Sequence, residues 1–470
     1  MKRRHFLSTT GSAIGLSALA PRLALAAAPA GPRVLEARQA TAPLMGAAAP
    51  PTAVWAYDGR VPGPVIRAKQ GEELHLRFEN RLGQPSTIHW HGIRIDNAMD
   101  GVAGLTQAAV PPGESFDYVF TPPDAGTFWY HPHNRTWEQM ARGLYGLLIV
   151  EETEAPAVDR DLALAFDDWR LGEDGQIDEA SLGHLRDWSH AGRLGNWLTV
   201  NGVSQPEIAL RKGERLRLRL ANCCNARVLS LRLDGHAAWL VALDGQPIAP
   251  YQPEDGVVTL APAQRADLIV DAVLEPGARP AILEVGGDYA VETAVLAYRP
   301  EVVAREAPLP PPAALPDNPL PRALDLGSAL RRELLMEGGA MGRMAGARHK
   351  GRQMGMRELV GQGMVWAFNG TAGMTEAPLL RVERGRTAVI EMINDTAWPH
   401  ALHLHGHHFR VVERDGRALS GEPWRDTVLL QRDEKASIAF LADNPGKWML
   451  HCHMLEHQAA GMATWIEVAG

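Results

Sequence analysis

A short stretch near the C-terminus carries the side chains best suited to metal chemistry. If this stretch is extended, His451 and His453 point to one face of the strand, and Cys452 between them points to the other. Cys452, His457 and Met462 offer a thiolate, an imidazole and a weak axial thioether. These are the ligands of a blue copper site short of one histidine. Two metal centres are therefore predicted within a few bonds of each other, which suits electron transfer.

Pairs of histidines separated by one residue recur along the chain. With 18 histidines in the sequence, random placement predicts about 0.7 such pairs. Two residues of this spacing share one face of a strand and lie about 7 Å apart, so a pair can bridge neighbouring metal ions. Isolated buried histidines do not explain so many pairs. The pairs lie at 89/91, 131/133, 403/405, 405/407 and 451/453.

The elements that must position these pairs are short strands joined by turns. The 470 residues include 46 glycines and 34 prolines, and 22% of them are charged, which fits many short strands better than long helices. A chain of this length exceeds one ordinary core and predicts roughly three domains. Strand patterns indicate β-rich units over about 53–150, about 159–300 and from about 365, with a proline-rich linker at 305–320.

Charge and the N-terminal sequence limit the location and the partners of the protein. A formal net charge of -8 argues against binding to nucleic acid or to an anionic membrane. Residues 2–7 read Lys-Arg-Arg-His-Phe-Leu and precede an apolar stretch too short to span a membrane. With the Ala-x-Ala motifs that follow, they predict a twin-arginine signal peptide at 1–28. We therefore expect an exported, periplasmic protein without a membrane anchor, and a monomer.

The remaining cysteines and several histidines are expected to be structural. Cys223 and Cys224 are sequence neighbours, and small buried thiols explain them better than a vicinal disulfide or a metal pair. The middle unit contains no His-x-His pair. Its scattered histidines, His184, His190 and His236, are interpreted as structural or exposed, and the unit itself as a spacer.

A methionine-rich segment precedes the third unit and supports two interpretations. Thioethers are soft ligands suited to Cu(I), so the segment could collect cuprous ions. Alternatively, it is a flexible insertion filled with adaptable side chains. Its members are Met336, Met341, Met344, Met354, Met356 and Met364, together with His349.

Four stretches of this sequence resemble the signatures of the multicopper oxidases, a family that includes laccases and bacterial copper-resistance oxidases. They occur in the expected order: His89-Trp90-His91-Gly92, His131-Pro132-His133, His400 through Gly406, and His451 through Met462. The resemblance implies an all-β fold of three cupredoxin-like Greek-key β-barrel domains. We place these domains at 29–155, 156–300 and 365–470, with the linker and the methionine-rich insertion at 301–364.

The resemblance also implies four copper ions and a set of ligands for each. His400 would join Cys452, His457 and Met462 at a type 1 copper, which fills the ligand position left open above. His89 and His403 would hold the type 2 copper. The type 3 pair would take His91, His131, His133, His405, His451 and His453. His407 and His408 lie outside the pattern and are not assigned.

A reaction follows from these implied sites. The type 1 copper would take single electrons from a small reductant, either cuprous ion or a phenol or aromatic amine. The Cys452 backbone would pass the electrons to the other three ions, which reduce dioxygen to two waters. Trp398, which precedes His400, could be a wall of an aromatic-substrate pocket or a core residue, and the methionine expected in this region of copper-efflux members is missing.

Proton supply is the point at which the sequence departs from the family. By spacing alone, Asp100 would cap a turn, as most Asp-Gly pairs do. The resemblance implies instead that Asp100 is the acid beside the type 2 site. A second acid commonly follows the last type 1 histidine, but Gln458 occupies that position.

Two other classes of protein compete with the oxidase. One is a copper-sequestering protein in which oxidation is incidental, and the other is a scaffold relative that has lost its copper ligands. The presence of every implied ligand argues against the scaffold.

Overall fold

The computed structural model describes residues 31–286 and 289–470. The predicted signal peptide at 1–28 lies outside the described residues. Within them the chain forms 32 strands and four short α-helices, as the abundance of turn residues predicts. None of the helices in these ranges is long and apolar enough to cross a bilayer.

The first domain is a pair of four-stranded sheets. Its strands are β1 (Arg33–Ala42), β2 (Thr52–Tyr57), β3 (Ile66–Lys69), β4 (Leu74–Asn80), β5 (His89–His91), β6 (Ser115–Phe120), β7 (Gly126–His131) and β8 (Gly146–Glu151). A 3₁₀ turn at Asn97–Met99 follows β5, and helix α1 (Thr136–Ala141) follows β7. The sheet orders are β2-β1-β4-β6 and β3-β8-β7-β5. Trp90 and Tyr130 are buried between them.

The second domain is built in the same way. Its strands are β9 (Arg160–Trp169), β10 (Trp197–Val200), β11 (Glu207–Lys212), β12 (Arg215–Asn222), β13 (Leu229–Leu233), β14 (Ala238–Leu243), β15 (Gln246–Tyr251), β16 (Val257–Leu260), β17 (Arg265–Asp271), β18 (Ala281–Gly286) and β19 (Tyr289–Val303). Helix α2 spans Leu185–Ser189, and 3₁₀ turns lie at Glu179–Ser181 and Glu254–Gly256. The sheet orders are β10-β9-β12-β17-β14-β15 and β11-β19-β18-β13-β16.

The third domain carries the C-terminal half of the histidine pairs. Its strands are β20 (Leu330–Gly338), β21 (Gly346–His349), β22 (Arg352–Gly355), β23 (Trp366–Phe368), β24 (Leu380–Glu383), β25 (Thr387–Asn394), β26 (His400–Leu404), β27 (Arg410–Arg414), β28 (Arg417–Ala418), β29 (Thr427–Leu430), β30 (Lys435–Leu441), β31 (Gly446–Cys452) and β32 (Ala463–Ala469). Helices α3 (Met356–Gly361) and α4 (Leu455–Ala459) complete it. The sheet orders are β23-β20-β25-β30-β27-β28 and β24-β32-β31-β26-β29, beside the hairpin β21-β22.

The three domains repeat one topology. In the first sheet of each, the opening strand runs parallel to a later one: β1 to β4, β9 to β12 and β20 to β25. The second sheets contain the matching parallel pairs β3 and β8, β11 and β19, and β24 and β32. In each domain the chain thus crosses between two packed sheets, and the two sheets close over one core. The prediction of an all-β fold with three β-barrel domains is confirmed.

The methionine-rich segment contributes directly to the third domain. Strand β20 lies within 301–364, a stretch interpreted from sequence as linker and insertion, yet it belongs to the first sheet of that domain. Met336 on this strand is fully buried in the domain core. The hairpin and α3 enclose a smaller cluster that contains Met354, with other methionines packed on it. Met341, by contrast, is 74% exposed. Most of these methionines therefore pack as apolar side chains.

The alternating strand β12 buries its polar face as well as its apolar face. Every residue of this strand is buried, although strict alternation is typical of a half-exposed strand. Arg217 pairs with Asp267, and Arg219 pairs with Asp161 and donates to Thr127 of the first domain. The arginines thus join the first and second domains, which is why they are withdrawn from solvent.

Candidate metal centres

Strands β26 and β31 bring a thiol and two imidazoles together in the third domain. His403 of β26 pairs with His451 of β31, so Cys452 at the end of β31 lies beside the start of β26. Helix α4 then folds His457 back toward the thiol. Cys452 Sγ lies 3.6 Å from His400 Nδ1 and 3.8 Å from His457 Nδ1. We call these residues, with Met462, the thiolate site.

The rings of the thiolate site are oriented by hydrogen bonds on their far sides. His457 Nε2–H donates to the carbonyl oxygen of His190 over 2.7 Å. His400 Nε2–H donates to the hydroxyl of Thr396 over 2.9 Å, because that hydroxyl gives its own proton to Asn394 Oδ1 at 2.7 Å. Both Nδ1 atoms therefore present lone pairs, and they lie 3.0 Å apart. A cation between them would remove the repulsion between these lone pairs.

The spacing and the protonation states fit a small metal ion. A first-row ion bonded to two imidazole nitrogens at roughly 2.0–2.1 Å and a tetrahedral angle holds them roughly 3.3 Å apart. Burial lowers the pKa of His457 to about 4 and holds the pKa of His400 well below its usual range, so both are neutral donors near pH 7. Burial raises the pKa of the Cys452 thiol to about 12. A metal must therefore displace the thiol proton when it binds.

Met462 is held next to this site by the turn that precedes it. Gly461 has a φ of +133°, and a β-carbon there would collide with the carbonyl oxygen of Trp366, so only glycine fits. The turn lets Met462 N donate to His457 O over 3.0 Å, while Cys452 N donates to Met462 O over 3.1 Å. The Met462 side chain is fully buried in the same core cluster as Cys452.

Eight buried histidines from two domains form a second group, which we call the histidine cluster. In the first domain, His89 of β5 lies opposite His131 of β7. In the third domain, His403 lies opposite His451. Because alternate residues share a strand face, the second histidine of each His-x-His pair lies on the same face as the first. The cluster contains His89, His91, His131, His133, His403, His405, His451 and His453.

Ring nitrogens in the histidine cluster face one another as acceptors. His405 Nε2 lies 3.1 Å from His451 Nε2. The Nδ1–H of His451 donates to the carbonyl oxygen of Cys452 over 2.9 Å, and that of His405 donates to the carboxylate of Asp100 over 3.1 Å. Each Nε2 therefore carries a lone pair. Among the described residues, further buried ring nitrogens have no hydrogen-bond partner: His89 Nε2, His91 Nδ1, His133 Nε2, His403 Nε2 and His453 Nδ1.

These unpartnered nitrogens fit bound metal ions. A buried polar atom without a partner is costly, and a metal would satisfy several at once. Burial lowers the pKa of the ring wherever a shift is resolved in the cluster, and neighbouring rings lower it further. The imidazoles with a lowered pKa are therefore neutral and available as ligands near pH 7.

Asp100 is placed against two histidines of the cluster. Its carboxylate oxygens each lie 3.1 Å from His405 Nδ1, and one lies 3.2 Å from His89 Nδ1. Its backbone carbonyl also accepts from His89 Nδ1 over 2.8 Å. Gly101 makes this approach feasible, because a β-carbon there would collide with the carbonyl of Ile88. Asp100 is thus more than a turn residue, and it orients two rings.

A second buried carboxylate, Asp426, supports the opposite side of the cluster. It accepts from His91 Nε2 over 3.2 Å, and its carbonyl accepts from His403 Nδ1 over 2.9 Å. Arg265 of the second domain binds both of its oxygens, over 3.0 and 2.6 Å. Although burial raises the pKa of Asp426, Arg265 and His91 lower it more, and the net pKa lies well below its usual range.

Sequence reasoning missed these supporting residues. Asp426 stands alone next to β29, and only the pairing of Thr427 with His403 brings it to the cluster. His190 contributes a backbone carbonyl, which no side-chain pattern can indicate. Arg265 and His190 both belong to the second domain, so that domain supports both groups and is more than a spacer.

The two groups meet at a single tripeptide. His451 and His453 belong to the histidine cluster, and Cys452 between them belongs to the thiolate site. The sequence prediction of adjacent centres thus matches the placement of these side chains. Outside both groups, Cys223 and Cys224 are buried as free thiols.

Comparison with known proteins identifies the class. Three sequence models described as multicopper oxidase match residues 39–155, 166–279 and 350–470. The fold and these matches define a copper-dependent oxidoreductase that uses dioxygen and a reducing substrate. The chain belongs to the multicopper oxidase family.

Several relatives resemble the chain over nearly its whole length. Multicopper oxidase MmcO of Mycobacterium tuberculosis is 30% identical, covering 87% of this chain and 82% of its own. The crystal structure of a multi-copper oxidase from Pseudomonas thermotolerans has a TM-score of 0.81 and 34% identity, covering 93% and 99% of the two chains. That of Lac15 from a marine microbial metagenome has a TM-score of 0.73 and 40% identity, covering 93% and 100%.

Proposed function

We propose that the protein couples oxidation of a small reductant to the reduction of dioxygen to water, using four copper ions. The observation that carries the proposal is the position of Cys452 between two members of the histidine cluster. The thiolate site would hold a type 1 copper, His89 and His403 a type 2 copper, and the other six cluster histidines a type 3 pair. Copper bound there supplies one-electron redox chemistry and the binding of dioxygen.

The protein's own groups would link and insulate the two centres. The backbone on either side of Cys452 connects the thiolate site to His451 and His453 through a few covalent bonds. Both centres are buried, which keeps bulk water from the dioxygen being reduced. Asp100 would fix the His405 and His89 rings and take part in supplying protons, as the sequence resemblance implies.

The reductant would approach the His457 side of the thiolate site. His457 donates to the carbonyl of His190, and the half-buried His190 ring lies 5.2 Å from the ring of Trp398. Trp398 is anchored by a bond from its Nε1 to Ala340 O of 3.0 Å. Two aromatic rings at this edge favour a flat phenol or aromatic amine, with which they can stack.

Cuprous ion is a second candidate reductant, and one observation favours it. Met341 follows Ala340 and exposes 74% of its surface, so a soft thioether stands near the same edge. Oxidation of Cu(I) there would give the protein a part in copper homeostasis. We also propose a periplasmic location, reached through the twin-arginine signal predicted at 1–28.

Dioxygen consumption with Cu(I) and with a simple phenol, measured side by side, tests these proposals. Trp398→Leu should slow phenol turnover more than Cu(I) turnover, and Met341→Leu should do the reverse. Copper binding with no dioxygen uptake on either reductant would refute the oxidase and favour a copper-sequestering protein.

A further inference from the structure

His408 stands between two buried carboxylates beside the histidine cluster. It lies in the loop from β26 to β27, and its side chain is fully buried. Its Nδ1 is 4.0 Å from Asp124 Oδ2, and its Nε2 is 3.9 Å from Asp426 Oδ2. Asp426 in turn contacts His91 of the cluster. Because each ring nitrogen of His408 faces a carboxylate, the ring can hold a proton on Nδ1 or on Nε2.

The neighbours of His408 determine where its proton lies. Asn318 is fixed by Ala125, whose N–H donates to Asn318 Oδ1 over 2.9 Å and whose carbonyl accepts from Nδ2 over 2.8 Å. Asn318 Nδ2 also donates to Gln246 Oε1 over 2.9 Å. The Gln246 amide nitrogen must therefore donate to His408 Nε2, over 3.2 Å. The neutral ring thus carries its proton on Nδ1, toward Asp124.

Asp124 and His408 form a carboxylate–imidazole pair. Arg94 donates to both Asp124 oxygens over 2.8 Å and so fixes this fully buried carboxylate. At 4.0 Å the two groups are not hydrogen-bonded, but the negative charge of Asp124 favours the proton on Nδ1 and leaves Nε2 to take up and release a second proton. Burial lowers the pKa of His408 to about 4, Asp124 and Asp426 raise it, and Arg94 and Arg265 lower it. The resting ring is therefore neutral.

A surface cleft reaches the other side of Gln246. The cleft has a volume of about 290 Å³ and is lined by Gln246, Asp317, Asn318, Arg322 and Trp424, among others. Gln246 itself is only 1% exposed, so its side chain forms the floor of the cleft. Gln246 thus lines the cleft and also contacts His408 Nε2 through its amide nitrogen.

We infer that His408 carries protons from this cleft toward the histidine cluster, an inference that rests on the oxidase function proposed above. When the Gln246 amide turns aside, Nε2 takes a proton from water in the cleft. It then passes that proton to the carboxylate of Asp426, which faces Nε2 at 3.9 Å and borders His91, and Asp426 releases it toward the cluster. The protons end in the water formed from dioxygen. No electrons move in this step, and the ring returns to its neutral form.

Each dioxygen reduced to two waters consumes four protons along with four electrons. Asp100 lies on the His405 side of the cluster, and Asp426 lies on the His91 side. The acid that commonly follows the last histidine of the thiolate site is replaced by Gln458. His408 gives the His91 side a proton carrier of its own.

The first test separates the two half-reactions of His408→Asn. Anaerobic reduction of the blue band should keep the parental rate, while reoxidation by dioxygen should slow by roughly 10²-fold or more, because a positioned proton carrier is lost. The solvent deuterium isotope effect on reoxidation should rise. His407→Asn is the matched control, since His407 is the adjacent buried histidine and faces Phe440 and Trp448 instead.

The second test needs neither copper nor turnover. In copper-free protein with labelled histidines, the ring proton that His408 takes up on Nε2 should exchange with solvent faster than a ring proton of His407, as measured by NMR. Gln246→Met, which makes the floor of the cleft apolar, should slow this exchange. If the His408→Asn variant fails to load copper, this test still decides whether His408 exchanges protons with the cleft.

Failure of this inference can be distinguished from failure of the proposed function. A parental protein without dioxygen uptake would refute the oxidase itself. An active parent whose His408→Asn variant reoxidises at the parental rate would refute only the role of His408. Exchange of the His408 ring proton that is unchanged by Gln246→Met would refute entry from the cleft.

Discussion

Replacement of Asp100 by asparagine is the perturbation most closely tied to the site geometry. The carboxylate accepts from His405 Nδ1 at 3.1 Å through either oxygen and lies 3.2 Å from His89 Nδ1. Asparagine keeps one acceptor oxygen but replaces the other with an N–H donor. That donor would face a ring N–H of His405 or His89, and the negative charge would be lost.

The expected loss has two parts of different size. Removal of a group that orients a metal-binding histidine typically costs 10- to 100-fold in metal affinity or activity. Loss of a positioned proton donor costs roughly 10²- to 10⁴-fold in rate. We therefore expect Asp100→Asn, reconstituted with excess copper, to reoxidise at least roughly 10²-fold more slowly, with most of its copper retained.

The assay measures electron entry and dioxygen reduction separately. Anaerobic reduction of the blue band reports electron entry at the thiolate site and should keep the parental rate, because the Asp100 carboxylate contacts His405 and His89 of the histidine cluster and no residue of the thiolate site. Reoxidation after mixing with dioxygen reports the cluster and should slow. Asp96→Asn is the matched control: Asp96 is exposed on the same 3₁₀ turn and only caps it, accepting from Ala98 N over 2.8 Å.

Parental rates in both half-reactions of Asp100→Asn would refute this reasoning. Protons would then reach the cluster by another path, and Asp100 would serve only the fold of its turn. A variant that loses cluster copper even with excess metal would show that the orientation of His405 and His89 dominates, and that proton supply is the smaller effect.

Three further changes give equally specific expectations. Cys452→Ser should abolish the strong blue absorption but keep copper at the histidine cluster, and a purified variant that is still blue would contradict the thiolate assignment. Met462→Leu should retain the blue copper and raise its reduction potential in a redox titration, because a weak axial donor is lost, whereas complete loss of that copper would show that the role is not axial. Burial raises the pKa of Asp167 to about 8, far above about 3.9 in the unfolded chain, so its contribution to stability is lost as the pH rises between these values. Asp167→Asn should therefore raise the thermal unfolding temperature relative to the parent more at pH 8 than at pH 4, and an equal shift at both would contradict this.

The His-x-His pairs could be recognised from the sequence because the information is local, whereas the resemblance to the multicopper oxidases implied that they assemble. Alternation along a strand places both members of a His-x-His pair on one face, so His451 and His453 separate from Cys452 without any tertiary knowledge. The abundance of turn residues likewise indicated many short strands. What alternation cannot supply is the identity of the next strand.

The supporting residues depend on that missing tertiary information. Asp426 reaches the cluster because β29 pairs with β26, and its charge is balanced by Arg265 from another domain. Alternation also does not reveal burial, since the arginines of β12 alternate as on an exposed face but are buried between domains. The methionine-rich segment attracted attention by its composition, although most of its methionines pack in cores.

The stoichiometry of dioxygen reduction tests the central claim most directly. Purified protein should bind four copper ions per chain, consume one dioxygen for every four electrons taken from a phenol or from Cu(I), and release no hydrogen peroxide. A single one-electron centre cannot achieve this balance. Two electrons consumed per dioxygen with accumulation of peroxide, or four bound copper ions with no dioxygen uptake, would contradict the proposal that the thiolate site feeds a four-electron centre at the histidine cluster.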